Sequence, residues 1–130
     1  MNTSFEKVGD VLKVSISGRL VAAYAENLRE DLQTHLEENR FILLDLSQMD
    51  YIDSSGLGVL VWALQQATTQ RCILKIAGLQ SRPRIVFDIT KVSRIFEIYD
   101  SVPAALASFY KDASAAQPAT TPQTTQQPQA

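Results

Sequence analysis

Strands alternating with helices, an N-terminal pair of strands close together in sequence, and a middle strand without polar alternation predict an α/β domain. The expected architecture is a mixed sheet of four to five strands, parallel in its middle, with an N-terminal hairpin and about four packed helices. In "VLKVSISG", Leu12, Val14 and Ile16 alternate with Lys13, Ser15 and Ser17, the period of a strand with one buried face. "FILLDLS" carries no such alternation, as suits a central strand covered on both faces. Between them Tyr24, Leu28, Leu32 and Leu36 recur every four residues, which an amphipathic helix from Tyr24 to Asn39 requires.

The other elements follow in order. "FEKV", separated from the first alternating run by Gly9 and Asp10, is its expected hairpin partner. A second helix runs from about Gly56 to Thr69 and is followed by the strand "CILKIAG". Ser81, with Pro83 in the first turn, predicts the cap of a short third helix. A last strand near "IFEIY" leads to Ser101 and a helix with Val102, Leu106, Phe109 and Tyr110 on one face. The folded unit is expected over residues 1–111. Beyond it, residues 112–130 contain no large aliphatic or aromatic side chain and no charge after Asp112, so they read as a disordered polar tail.

Composition narrows the function. A chain of 130 residues, 45% hydrophobic, has room for one globular domain. Its net charge of −2 supplies no clustered excess of Lys and Arg for nucleic acid. One cysteine, Cys72, and one histidine, His35, cannot make an internal disulfide or a structural zinc cluster. Cys72 begins an apolar run and reads as a buried strand residue. No apolar window reaches the ~20 residues of a membrane span, and the N-terminus lacks a signal peptide, so a cytoplasmic protein with no direct membrane insertion is expected. No metal or cofactor is expected.

The stretch with most chemical content is "YIDSSGLGVL", residues 51–60. A serine nucleophile on a strand-to-helix turn needs glycine two residues before it, where Ile52 or Asp53 stands, and an imidazole base, for which only His35 is available. His35 follows Leu28 and Leu32 at helical spacing and reads as the edge of a buried seam. A small serine hydrolase using Ser54 or Ser55 is therefore the weakest reading. Gly56 and Gly58 lack the third glycine of a dinucleotide fingerprint, and no Gly-Lys-Ser/Thr loop exists. The plainest account is structural: Asp53, Ser54 or Ser55 caps the helix, and Gly56 and Gly58 permit close passage of a neighbour.

That helix is apolar on two sides. At about 100° per residue, Leu57, Leu60, Val61, Leu64 and Thr68 share one side, while Val59, Trp62, Ala63 and Gln66 lie nearly opposite. Burying both sides is hard in a small domain, so Val59 and Trp62 are expected in an exposed, partner-binding patch with Ala63 and Gln66. Extending the register backwards places Ser55 on the Trp62 side and Ser54 away from it. A phosphate on Ser55 would meet free backbone N–H groups at the positive end of the helix, leaving the fold intact while changing the contact surface.

"DLSQMDYIDSSGLGVLVWAL" closely resembles the signature of the STAS domain, in particular that of bacterial anti-sigma factor antagonists. "GRLVAAYAENLREDL", "LKIAGLQSRPRIVFDIT" and "VSRIFEIYDSVPAAL" resemble the family's first-helix, fourth-strand and closing regions. The resemblance implies a STAS-type fold and no catalysis. It implies binding to an anti-sigma factor, itself a serine kinase with a histidine-kinase-like ATP site, and release of the sigma factor which that kinase holds. It further implies phosphorylation of the second serine of D-S-S-G, here Ser55, to end binding, and a PP2C-type phosphatase to restore it. Many antagonists have aspartate after the G-x-L of the loop before the first helix; here it is Val21. The alternative within the family is a scaffold subunit, in a lipid-transport ABC complex or a stress-sensing assembly, without phosphoserine turnover.

Overall fold

The computed structural model describes residues 1–116. In chain order the elements are β1 (Asn2–Val8), β2 (Val11–Leu20), α1 (Ala22–Glu38), β3 (Phe41–Ile52), α2 (Ser54–Thr69), β4 (Ile73–Ala77), α3 (Ser81–Ile89), a 3-10 turn (Val92–Arg94), β5 (Ile98–Tyr99) and α4 (Val102–Ala116). The strands lie in the order β1-β2-β3-β4-β5; the first pair is antiparallel and the others parallel. This is the expected mixed sheet with an N-terminal hairpin, the turn being made by Gly9 with φ +61°.

The period of two in the strands sorts side chains between two layers. Leu12, Val14 and Ile16 of β2, Ile42, Leu44 and Leu46 of β3, and Leu74 and Ile76 of β4 join Leu28, Leu32 and Leu36 of α1, Leu60, Ala63 and Ala67 of α2 and Phe87 of α3 in the main core. Val11, Phe41, Leu43 and Ala77 point the other way and meet Ala105 and Phe109 of α4. The Phe41 and Phe109 rings pack edge to face with centroids 5.7 Å apart. One helix thus covers one side of the sheet and three serve the other.

Two helices share that crowded side by stacking. α2 packs against β3 and β4, and α1 packs against α2. The sandwich that looked hard to build exists, because three helices on one face allow one to ride on another. In α1 the buried seam is Ala25, Leu28, Leu32 and Leu36, while the Tyr24 ring is exposed. Tyr110 of α4 is exposed as well. Gln80, not Ser81, stands at the N-cap of α3, and Ser81 is its first helical residue.

The folded unit extends past the expected boundary at 111: α4 runs to Ala116, and the Asp112 carboxylate pairs with Lys75. The remainder of the expected tail, 117–130, lies outside the described residues. Lys75 is a buried cation that the apolar run "CILKIAG" signalled only by its oddity. Its side chain is 1% exposed, and its ammonium lies 2.8 Å from Ser108 Oγ and 3.2 Å from Glu97 Oε2, besides contacting Asp112. All three ammonium donors thus have acceptors.

Burial alone would lower the Lys75 pKa, but the hydrogen bonds to Asp112 and Glu97, with their charges, outweigh it and hold it above the ordinary lysine value. A raised folded-state value means that the stabilisation is fully present below the unfolded lysine value, about 10.4, and disappears as pH climbs through the folded one. Urea midpoints at pH 8 and pH 11.5 should therefore fall further in the native chain than in Lys75→Met. Equal losses in the two proteins would remove Lys75 from the account of alkaline stability. Cys72, buried just before β4, has its thiol pushed up to about 11 by burial and is correspondingly unreactive.

Candidate functional site

Because β2, β3, β4 and β5 run parallel, their C-terminal ends lie along one edge of the sheet, and each is followed by a helix beginning there. Open α/β sheets present their binding surfaces at this edge. It carries Val21, the Asp53-Ser54-Ser55 turn, Gln80 with Ser81, and Ser101.

Asp53 organises the central part. It stands at the N-cap of α2 in extended conformation, and its Oδ1 accepts from the Gly56 amide at 2.9 Å. Its Oδ2 accepts from the Ala22 amide at 3.1 Å, and its own amide donates to the Leu20 carbonyl at 3.2 Å. Ala22 is the first residue of α1, whose N-cap residue Val21 supplies no side-chain bond. One carboxylate therefore serves the first turns of two helices, and the second bond satisfies an amide of α1, whose own N-cap residue offers no side-chain acceptor. Each capping bond contributes about 0.5–2 kcal/mol, so Asp53→Ala should cost roughly 2 kcal/mol in denaturant unfolding. A loss below ~0.5 kcal/mol would mean that water replaces the carboxylate at both amides.

The capped turn presents Ser54 and Ser55 to solvent as the first two residues of α2. Gly56 is buried behind them. A Cβ there would lie 2.4 Å from the Leu20 carbonyl oxygen and 2.6 Å from Leu20 Cγ, so the absence of a side chain lets α2 start against the end of β2. Gly58 differs: a Cβ would meet nothing within 4 Å. Of the two glycines, only Gly56 performs the close passage expected of both.

With Ser55 as origin and about 100° per residue, the buried residues Val59, Ala63, Gly56, Ala67, Leu60 and Leu57 fill an arc from about 40° to 200°. Val59 and Ala63, expected in an exposed patch, are 4% and 0% exposed. The reason is α1, which lies on that side of α2. Trp62 is half-buried, with the Arg29 guanidinium of α1 held 4.6 Å from its ring centroid. Gln66 is half-buried too. What α2 leaves exposed runs around the helix from Thr68 through Ser54, Gln65, Gly58 and Thr69 to Ser55, where the half-buried Trp62 and Gln66 border it.

His35 lies thirteen residues beyond Ala22, or about 20 Å along α1 at ~1.5 Å per residue. Its ring packs on Phe5 with centroids 4.1 Å apart. It serves neither serine as a base. Among the described residues no group of three or more His, Cys, Asp or Glu side chains is placed to hold a metal ion, and no helix is long and apolar enough to cross a membrane.

The STAS domain family model matches residues 2–105. The chain belongs to the STAS domain family. The anti-sigma-B factor antagonist of Listeria monocytogenes is 32% identical over 102 residues, covering 75% of this chain and 90% of that protein. The anti-sigma-B factor antagonist of Bacillus subtilis is 31% identical over 98 residues, with the same coverage of both chains. A solved anti-sigma factor antagonist from Mycobacterium paratuberculosis superposes with a TM-score of 0.76 at 20% identity, covering 82% of this STAS chain and 92% of its own. SpoIIAA in its unphosphorylated form superposes with a TM-score of 0.66 at 15% identity, over 85% and 98%. At those identities the structures speak for the fold.

Proposed function

We propose that this STAS protein is an anti-sigma factor antagonist whose binding is switched off by phosphorylation of Ser55. The observation that carries the reading is the position of Ser55: exposed, in the first turn of α2, at the border of that helix's bare surface and within about 20° of the half-buried Trp62 and Gln66. Ser54 is exposed too but lies about 100° from Ser55 around the helix, on the side away from Trp62 and Gln66. The two Asp53 carboxylate bonds and the buried Gly56 hold the turn rigid, so a partner meets a preformed surface and pays little ordering entropy. Val59 and Ala63 support this surface from beneath. Trp62 and Gln66 contribute their accessible edges.

In this reading the partner is a serine kinase with a histidine-kinase-like ATP site that otherwise holds a sigma factor, and a PP2C-type phosphatase reverses the modification. The names of the Listeria and Bacillus relatives, both anti-sigma-B factor antagonists, support it.

Gly58 adds a second support. A glycine inside a helix costs up to about 1 kcal/mol relative to alanine, and here no neighbour requires it. A bare backbone beside Ser55 is what close approach of a partner would use.

The test is phosphosite mapping of the protein from its native cell, together with capture of the kinase by native, Ser55→Ala and Ser55→Asp baits. Phosphate on Ser55, with a kinase retained by the alanine bait and lost by the aspartate bait, is the expected result. An unphosphorylated protein holding the same partner on all three baits would replace the switch with a constitutive scaffold.

A further inference from the structure

All the large aliphatic side chains exposed among the described residues lie in one short segment: Ile85 at 57%, Ile89 at 75% and Ile95 at 53%. Single exposed apolar residues need no explanation, but three within eleven positions do. In α3 the buried side chains are Pro83 and Phe87. At about 100° per residue, Arg82, Ile85 and Ile89 fall within an arc of about 60° on the opposite side. The 3-10 turn packs back on α3, and Ile95 follows it. The core has turned this face outward.

Charge distinguishes the same face. Residues 81–95 contain Arg82, Arg84, Lys91 and Arg94 against one acid, Asp88, in a chain whose net charge is −2. Arg82, Lys91 and Arg94 are exposed. An aliphatic stripe bordered by cations complements an apolar stripe bordered by carboxylates, with arginine suited to bidentate pairing.

We propose that the outer face of α3 and the turn after it, centred on Arg82, Ile85, Ile89 and Ile95, docks an acidic amphipathic helix of a partner protein. The i, i+3, i+7 spacing of Arg82, Ile85 and Ile89 is that of one helix packing along another. The chain's own residues 117–130 carry neither charge nor a large apolar side chain and cannot supply the complement. In a two-fold dimer this face would meet its own copy, bringing cations against cations. An anionic membrane would also attract the cations, but this segment exposes no Trp, Tyr or Phe to seat at the headgroup level, and Asp88 is exposed beside Ile89. The surface does not depend on the Ser55 reading. It begins in the first turn of α3 and runs about 12 Å away from the edge that carries Ser55.

The test places a photoreactive phenylalanine analogue at position 89 of the full chain in its native cell and sequences whatever becomes attached. The expected product is a peptide with net negative charge and apolar residues at helical spacing. That peptide, made synthetically and fluorescently labelled, should bind the native chain and lose at least tenfold in affinity to Ile89→Asp and to Arg82→Glu. Ser55→Asp should bind it within twofold of the native chain. Both surface variants should keep the native melting temperature, since the replaced side chains are exposed. Attachment to a second copy, to lipid or to a basic or unpatterned peptide would overturn the proposal. So would no attachment at all, or flotation of the native chain with phosphatidylglycerol vesicles that the two variants abolish.

Discussion

Gly56→Ala is expected to destabilise the domain by on the order of 3 kcal/mol or more, enough to leave a small STAS domain largely unfolded at 37 °C. The added methyl would stand 2.4 Å from the Leu20 carbonyl oxygen and 3.1 Å from Ile52 Cγ1. Backbone atoms cannot step aside as a flexible side chain can. Relief requires α2 to lift from β2, which would break the Asp53 bonds to Gly56 and Ala22 together. The gain of about 1 kcal/mol in helix propensity is too small to compensate. Two residues on, Gly58→Ala makes the same chemical change in open space and should stabilise by up to about 1 kcal/mol. Urea unfolding of the pair checks both. If the two variants moved in the same direction, the close approach of α2 to Leu20 would be wrong.

In the proposed switch, phosphorylation of Ser55 should weaken binding of the proposed partner kinase by a few hundredfold, or roughly 3–4 kcal/mol. The added group brings about −1.5 to −2 charges to a surface that must lose its water on contact. Within the domain the same charge is tolerated. The first-turn amides of Ser54 and Ser55 have no carbonyl partner within the helix, and the positive end of its dipole faces them. The neighbouring Asp53 carboxylate opposes that gain, so the net change in stability should stay within about 1 kcal/mol. Titration calorimetry with native, Ser55-phosphorylated and Ser54-phosphorylated protein, beside their melting curves, separates the two effects. Equal loss from either phosphoserine would assign the switch to charge at the turn in general rather than to the surface that Ser55 shares with Trp62 and Gln66.

The local patterns were legible because each strand and helix meets its surroundings with a fixed period. Leu12, Val14 and Ile16 had to share one face of β2, and Leu28, Leu32 and Leu36 one seam of α1. The unalternating β3 had to be covered twice, and it is, by α2 on one side and by Phe109 of α4 on the other. The D-S-S-G turn was visible for a similar reason. A cap, its amide acceptor and an adjacent glycine act over three residues, and the bond from Gly56 to Asp53 is of that kind.

Periodicity failed wherever two distant segments meet. Two apolar sides on α2 were read as one buried side and one offered to a partner, because nothing in "GLGVLVWALQQATT" says that α1 will lie across it. The second bond of Asp53 spans thirty-one residues to Ala22, and the acceptors of Lys75 lie on β5's approach and on α4. The expected end of the domain at residue 111 fell short for the same reason, since Asp112 is an ordinary polar residue until Lys75 is placed beneath it.

By itself, then, the sequence determined the order and type of the elements, the STAS signature and the capped turn that carries Ser55. These rest on interactions that repeat every two or about 3.6 residues, or close within one helical turn. The tertiary structure alone decided that Val59 and Ala63 are core, that Gly58 is bare while Gly56 is obligatory, and that three isoleucines of α3 and its following turn face outward. Each depends on which surface lies opposite, and that is settled only when elements remote in sequence compete to cover the same area of sheet.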